Sequence, residues 1–209
     1  MDVKNKKVLQ SEATRAELIR VASDLFAERG YPGAALEDMA KKVGLTKGAL
    51  YHHFRDKRAL FEAVVRQVLE DDLRRIQAES KQMTAHLGEN SWDRLIALTD
   101  LFLDGFLDPR QRRIVWVDGP AVLGWERWHQ VVSEPTIERM VGIFGVMEER
   151  GVIEPGFQQP LAQLMFGAVQ EAGMAIAYAP DQEKRRAEVT PALHWMLETL
   201  FRERSPKRR

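Results

Sequence analysis

The chain has 209 residues, enough for one small and one larger domain, and its 31 basic and 31 acidic side chains give a formal net charge of zero. It contains no cysteine, which excludes structural disulfides, thiolate zinc sites and cysteine nucleophiles. No uninterrupted apolar run approaches the ~18 residues that cross a membrane, and the first seven residues lack the apolar core of a signal peptide, so no membrane partner and a cytoplasmic location are expected.

The first helix is expected over about Glu12–Arg29, with Leu18, Ala22, Leu25 and Phe26 on one stripe. A second follows from Leu36, Met39, Ala40 and Val43, which fall at i, i+3, i+4 and i+7 and give one apolar face. Gly44 suits the left-handed residue that ends a helix and opens a three- to four-residue turn. Leu45 can plug that turn, and Thr46 can cap a third helix starting at Lys47. In the third helix Leu50 and Phe54 lie four residues apart and point inward. At about 100° per residue, Gly48, Tyr51, His52 and Arg55 then face the other way.

Two short helices hinged at a glycine suit the reading of DNA, with the second helix in the major groove. Gly48 removes a side chain where backbone and duplex come closest. Thr46 and Tyr51 can donate to phosphate oxygens, Lys47 supplies charge, and His52 can donate to phosphate or bond a base edge. After Arg55-Asp56, Lys57 opens a fourth helix capped by Asp56, and its first-turn N–H groups suit one more phosphate. Any glycine-hinged helix pair in an all-α protein has the same outline.

Charge is divided to match. Residues 1–60 hold twelve bases and eight acids, a surplus of four, which the remaining 19 bases and 23 acids offset. Phosphate contact needs local rather than total charge.

From about Thr14 to about Val64 the chain resembles the tetracycline-repressor (TetR) family of transcriptional regulators. Leu25-Phe-Ala-Glu-Arg-Gly-Tyr31, Met39-Ala40, Val43-Gly44-Leu45, Lys47-Gly48, Leu50-Tyr51-His52-His53-Phe54 and Asp56-Lys57 follow that family's pattern in order and spacing. One departure is Ala34-Ala35, where the family has Thr or Ser before the second helix; a lost hydroxyl cap costs about 0.5–2 kcal/mol.

The fourth helix continues through Phe61, Val64, Val65, Val68, Leu69, Leu73 and Ile76, and Met83–Ser91 reads as a loop with Ser91 capping a helix over about Trp92–Leu107. A helix over Arg110–Val117 is expected to break at Asp118-Gly119-Pro120, with Pro120 opening a short helix that carries Trp125 and Trp128. Pro135–Arg150 follows, ended by Gly151, and then a last pair over about Leu161–Tyr178 and Glu183–Arg204. Period-two alternation persists nowhere, so no sheet is expected. The basic end Lys207-Arg208-Arg209 reads as a solvated tail.

The last pair presents apolar and small residues, among them Leu164, Ala168, Gly167 and Gly173 against Leu193, Leu197 and Leu200. By itself this is a helical hairpin covering its own domain. The resemblance implies more, a homodimer formed through residues 161–178 and 183–204, with two reading helices on a near-palindromic operator.

The resemblance also implies a pocket for a small effector in the larger domain. Phe102, Phe106, Trp116, Trp125, Phe144 and Met165 are its candidate apolar lining, with Asp118, His129 and Glu171 as polar anchors, which suits a largely apolar or aromatic ligand. Large apolar residues at helical spacing serve equally as plain core.

Catalysis finds no support. Arg74 and Arg75 follow Glu70-Asp71-Asp72 at ion-pair spacing, and the adjacent His52 and His53 diverge by about 100° on a helix. No nucleophile elbow, phosphate loop or zinc-binding His-Glu-x-x-His motif occurs, so no catalytic residue, metal or cofactor is expected.

The expectation is therefore an all-α chain: a three-helix DNA-binding domain with a helix-turn-helix in residues 1–56, and a larger helical effector-binding and dimerisation domain in 57–209. Its function is that of a ligand-responsive homodimeric repressor of transcription. A small α-helical enzyme would instead show no salt-dependent DNA binding, and an architectural binder would take all duplexes about equally.

Overall fold

The computed structural model describes residues 3–87 and 91–202, with side chains at 6–82 and 95–199. Among these residues there is no strand. The helices are α1 (Val3–Gly33), α2 (Leu36–Val43), α3 (Lys47–His53), α4 (Lys57–Leu87), α5 (Ser91–Leu107), α6 (Pro109–Gln111), α7 (Gly119–Leu123), α8 (Trp125–Trp128), α9 (Glu134–Glu149), α10 (Gln158–Ala177) and α11 (Gln182–Arg202). Two π-helical turns, Arg112–Asp118 and His129–Ser133, precede α7 and α9.

Two compact units form. One comprises residues 1–71 and 109–128, the other 72–108 and 129–209. The first is discontinuous in sequence: a segment from the middle of the chain docks on the N-terminal helices.

In the first unit, Leu18, Ala22, Leu25 and Phe26 of α1, Met39 of α2, Leu50 of α3, and Leu60, Phe61 and Val64 of α4 are all buried. Phe26 meets Phe61 edge-on at 5.1 Å, and Tyr31 meets Phe61 edge-on at the same distance. Burying one such side chain contributes about 1.5–3 kcal/mol, so this stripe holds the helix-turn-helix in place. α1 breaks at Gly30, whose φ of 70° and ψ of 172° only glycine adopts readily.

The docked segment has its own local logic. A π turn directs the Val115 carbonyl toward residue 120, but Pro120 has no N–H to give. The Trp128 indole N–H donates to that carbonyl instead, at 2.8 Å. Gly119 makes room for it, since a Cβ there would lie 2.9 Å from Trp128 Cδ1. Gly119 keeps helical angles, φ −51° and ψ −62°, so the chain passes from the π turn straight into α7. The break expected at Asp118-Gly119-Pro120 does not occur, because Pro120 sits in the first turn of α7, where a missing donor costs least.

In the second unit, α10 packs on α9, α11 and α5. Its core joins Leu95, Leu103, Phe144, Met147, Met165, Phe166, Val169, Ile176, Leu193 and Leu197. The loop expected from Met83 is instead helical as far as Leu87. Residues 88–90, the Ser91 side chain and the basic end Lys207-Arg208-Arg209 lie outside what is described.

Candidate nucleic-acid interface and effector region

The helix-turn-helix is built as its residue types dictate. Gly44 takes the left-handed conformation, φ 74° and ψ 25°, and the Leu45 N–H donates back to Ala40 O at 2.8 Å, closing α2. Thr46 Oγ1 accepts from the Ala49 N–H at 3.2 Å and caps α3. Ala35, as its side chain requires, caps nothing. Glu37 and Asp38 in the first turn of α2 complement the helix dipole instead, and Arg29 holds Asp38 at 2.8 Å.

With Leu50 and Phe54 buried, α3 turns Lys47, Gly48, Tyr51 and His52 to solvent, next to the exposed Thr46. Tyr51 keeps 44% of its surface. Lys47 pairs with Glu37 at 2.5 Å, and this contact holds the lysine above and the carboxyl below their ordinary pKa ranges. Gly48 is informative because the protein does not require it. A Cβ there would meet only Thr46 Oγ1, at 4.0 Å. Glycine inside a helix costs about 0.5–1 kcal/mol relative to alanine, and nothing in the chain's own packing offsets that cost.

Lys57 departs from a fully open phosphate ligand. Its ammonium lies 4.5 Å from the Tyr31 ring centroid and 3.4 Å from the Pro32 carbonyl oxygen, and partial burial pushes its pKa down. Asp56 caps α4 as expected, accepting from the Ala59 N–H at 2.6 Å.

Four polar clasps, none read from the sequence, tie the docked segment to this head. Arg110 donates to Ser23 Oγ at 2.9 Å and Asp24 at 2.6 Å. Asp118 accepts from the Tyr31 N–H at 2.9 Å. Arg58 donates to the carbonyls of Val122 and Leu123 at 3.1 and 2.7 Å. Arg127 donates twice to Glu62, at 2.9 and 2.6 Å, and Arg66 reaches the same carboxylate at 3.0 Å. Partners 64 to 87 residues apart leave no local periodicity to signal them.

The Glu62 clasp makes a pH prediction. Its hydrogen bond from Arg127 is the main cause of a lowered pKa. A depressed carboxyl contributes stability that is complete above the unfolded value of about 4.3 and is lost as pH falls through the lower folded value. Urea denaturation at about pH 5 and about pH 3 should show Glu62→Gln losing less stability than the parent over that interval, by on the order of 1 kcal/mol. Equal losses would mean the clasp is not formed in solution.

The nine effector-region candidates divide between the two units. Phe102, Phe106, His129, Phe144, Met165 and Glu171 belong to the second; Trp116, Asp118 and Trp125 belong to the first. Phe144 and Met165 share the core on which Phe102 packs, and Phe102 meets Phe106 at 5.6 Å and Phe166 at 6.4 Å. His129 Nδ1 lies 3.8 Å from Glu134, and Glu171 is exposed. Trp116 packs edge-on against Trp128 at 5.8 Å, Trp125 is 66% exposed, and Asp118 is engaged with Tyr31 and Arg113. Sequence reading passed over Ser133, which is fully buried at the second π turn with no hydrogen-bond partner for its hydroxyl among the described residues. A lone serine between Val132 and Glu134, with polar residues on both sides, carries no pattern that would have marked it.

Residues 18–64 match the family model for bacterial regulatory proteins of the tetR family, and residues 92–200 match that for the tetracyclin repressor-like C-terminal domain. The chain belongs to the TetR family. Among solved structures, this TetR-family chain is similar to a TetR-family transcriptional regulator from Pectobacterium atrosepticum, with 32% identity, a TM-score of 0.77, and 96% of this chain and 98% of that one covered. Among curated proteins it is similar to the transposon Tn10 TetC protein of Escherichia coli, 28% identical over 64% of this chain, and to the transcriptional repressor KstR2 of Mycolicibacterium smegmatis, 32% identical over 51%. The matched stretches span 65% and 49% of those two relatives' own lengths.

Proposed function

We propose that this TetR-family chain is a cytoplasmic, homodimeric, effector-responsive repressor that occupies a near-palindromic operator through α3. The observation that carries the reading is the exposed face of α3, with Thr46, Lys47, Gly48, Tyr51 and His52 outward and a glycine at its centre that the protein's own packing does not require. Close approach to a duplex gives that glycine its use. Lys47 exchanges Glu37 for phosphate, His52 meets a base edge, and Lys57, anchored over Tyr31, presents its charge at the head of α4.

Leu164 on α10 and Trp195 on α11 are 71% and 69% exposed, and a Cβ at Gly167 would meet nothing within 4 Å. Large apolar side chains and an open glycine on the last two helices suit the close approach of a second copy. A largely apolar effector binding in the second unit, around Phe102, Phe106, Phe144 and Met165, would favour one of two arrangements of the dimer. Its difference in affinity between them sets the response.

Gly48→Ala separates fold from function. The variant should be as stable as the parent or more so, by up to about 1 kcal/mol, and yet bind its operator at least about tenfold more weakly. Thermal denaturation and a binding titration on a duplex selected by the parent from a random pool measure both quantities. Parent-like affinity in the alanine variant would remove α3 from the interface.

A further inference from the structure

We infer that the Ser133 hydroxyl is the polar anchor of the effector site in the second unit, and that the effector is an apolar molecule whose buried end carries one uncharged oxygen, a carbonyl or a hydroxyl; the inference rests on the reading of that unit as effector-binding. Ser133 has no exposed surface, and its Oγ has no hydrogen-bond partner among the described residues. Its backbone is helical, φ −81° and ψ −50°, and leads directly into α9. At about 100° per residue, Ile137, Phe144 and Met147 fall within about 40° of it around the helix. All three belong to the core of the second unit, together with Met165 of α10, and Phe102 packs on the same core. Ser133 therefore stands at the head of the stripe that α9 turns toward the candidate effector lining.

An idle hydroxyl is out of keeping with other helix hydroxyls of the chain. Thr14, Thr99, Thr136 and Thr199 each donate to the carbonyl four residues back, at 2.9, 2.9, 3.1 and 2.9 Å. For Ser133 that carbonyl belongs to His129, the first residue of the π turn, where backbone hydrogen bonds reach five residues rather than four. A buried hydroxyl without a partner destabilises the subunit, and alanine in the same place would not. A ligand oxygen that pairs with it gives the serine its use. Charge on that ligand finds no counterpart. Among the described residues of the second unit the buried polar side chains are those of Ser80, Thr99 and Ser133, all uncharged. Glu171 is exposed, and the His129 ring lies 3.8 Å from Glu134. A carboxylate or an ammonium carried into this core would be buried without a counter-charge, which costs far more than one hydrogen bond returns.

The test titrates the full chain calorimetrically with naphthalene, 4-butylphenyl and decyl compounds that each end in a methyl ketone, a hydroxymethyl, a plain methyl, a carboxylate or an aminomethyl group. The ketones and alcohols should bind the parent, and the carboxylates and amines should not compete with them. Ser133→Ala should bind the ketones and alcohols about tenfold more weakly, and the plain methyl compounds no more weakly than the parent does. Its melting temperature without any compound should equal the parent's or exceed it by up to about 4 °C. A lower one would show that the hydroxyl is bonded within the subunit and would overturn the anchor, as would parent-like binding of the ketones or a preference for carboxylates. In each of those cases a compound that binds and alters affinity for a duplex selected from a random pool keeps the effector reading standing. That reading fails, and the anchor with it, if no compound of any series binds the parent or alters its affinity for the duplex.

Discussion

Gly173→Ala is expected to lower the free energy of unfolding by about 1–3 kcal/mol, although the same change on an open helix face would raise it by about 0.5–1 kcal/mol. Gly173 is buried within α10, and a Cβ added there would overlap the ring of Phe106. That ring has no exposed surface and meets Phe102 edge-on, with Phe166 beyond, so it has nowhere to turn. Strain therefore outweighs helix propensity. Phe106→Leu alone is expected to cost stability through lost packing, yet in Gly173→Ala/Phe106→Leu the smaller side chain frees the volume that the methyl needs. The pair should then be less than additive, with a coupling of about 0.5–3 kcal/mol. Urea denaturation of the four proteins closes the cycle; an alanine variant as stable as the parent would contradict the close packing of α10 on Phe106.

Leu164→Asp combined with Trp195→Asp is expected to yield a monomer in sedimentation and to weaken operator binding by a factor of about 10²–10⁴. Joining two half-site contacts turns the second into an intramolecular event with a gain of that size. Both side chains already stand in solvent within the subunit, so the substitutions should leave the fold of each chain within about 0.5 kcal/mol of the parent. Far-ultraviolet circular dichroism separates the two effects. A variant that stayed dimeric and bound like the parent would move the proposed interface away from α10 and α11.

What was readable beforehand follows from the range of the interactions involved. Gly44, Thr46, Asp56 and the stripe through Leu50 and Phe54 act within five residues of themselves, and spacing alone places them. The uncapped Ala35 belongs to the same class. Arg110 with Asp24, Arg58 with Leu123, and Arg127 with Glu62 join residues 65 to 86 apart, and they carry residues 109–128 to the head. No local pattern encodes such pairings. The aromatic block around Trp116 and Trp125 therefore read as one set with Phe102, Phe106 and Phe144, whereas the structure groups the tryptophans with the first unit. The π turn was illegible for a related reason: the donor that satisfies Val115 comes from Trp128, thirteen residues on.

The two-part construction of the first unit bears on how the protein is made. Ribosomes deliver the chain from its N-terminus at roughly 5–20 residues per second, so the stretch from residue 71 to residue 128 takes about 3–11 s. Throughout that interval the nascent head has Glu62 without Arg127, Asp24 without Arg110 and the Tyr31 N–H without Asp118. The helix-turn-helix emerges first but is completed only after α5 has passed. A gene fragment ending near residue 71 would encode that waiting intermediate, and a minimal reading head for engineering would have to carry residues 109–128 with it.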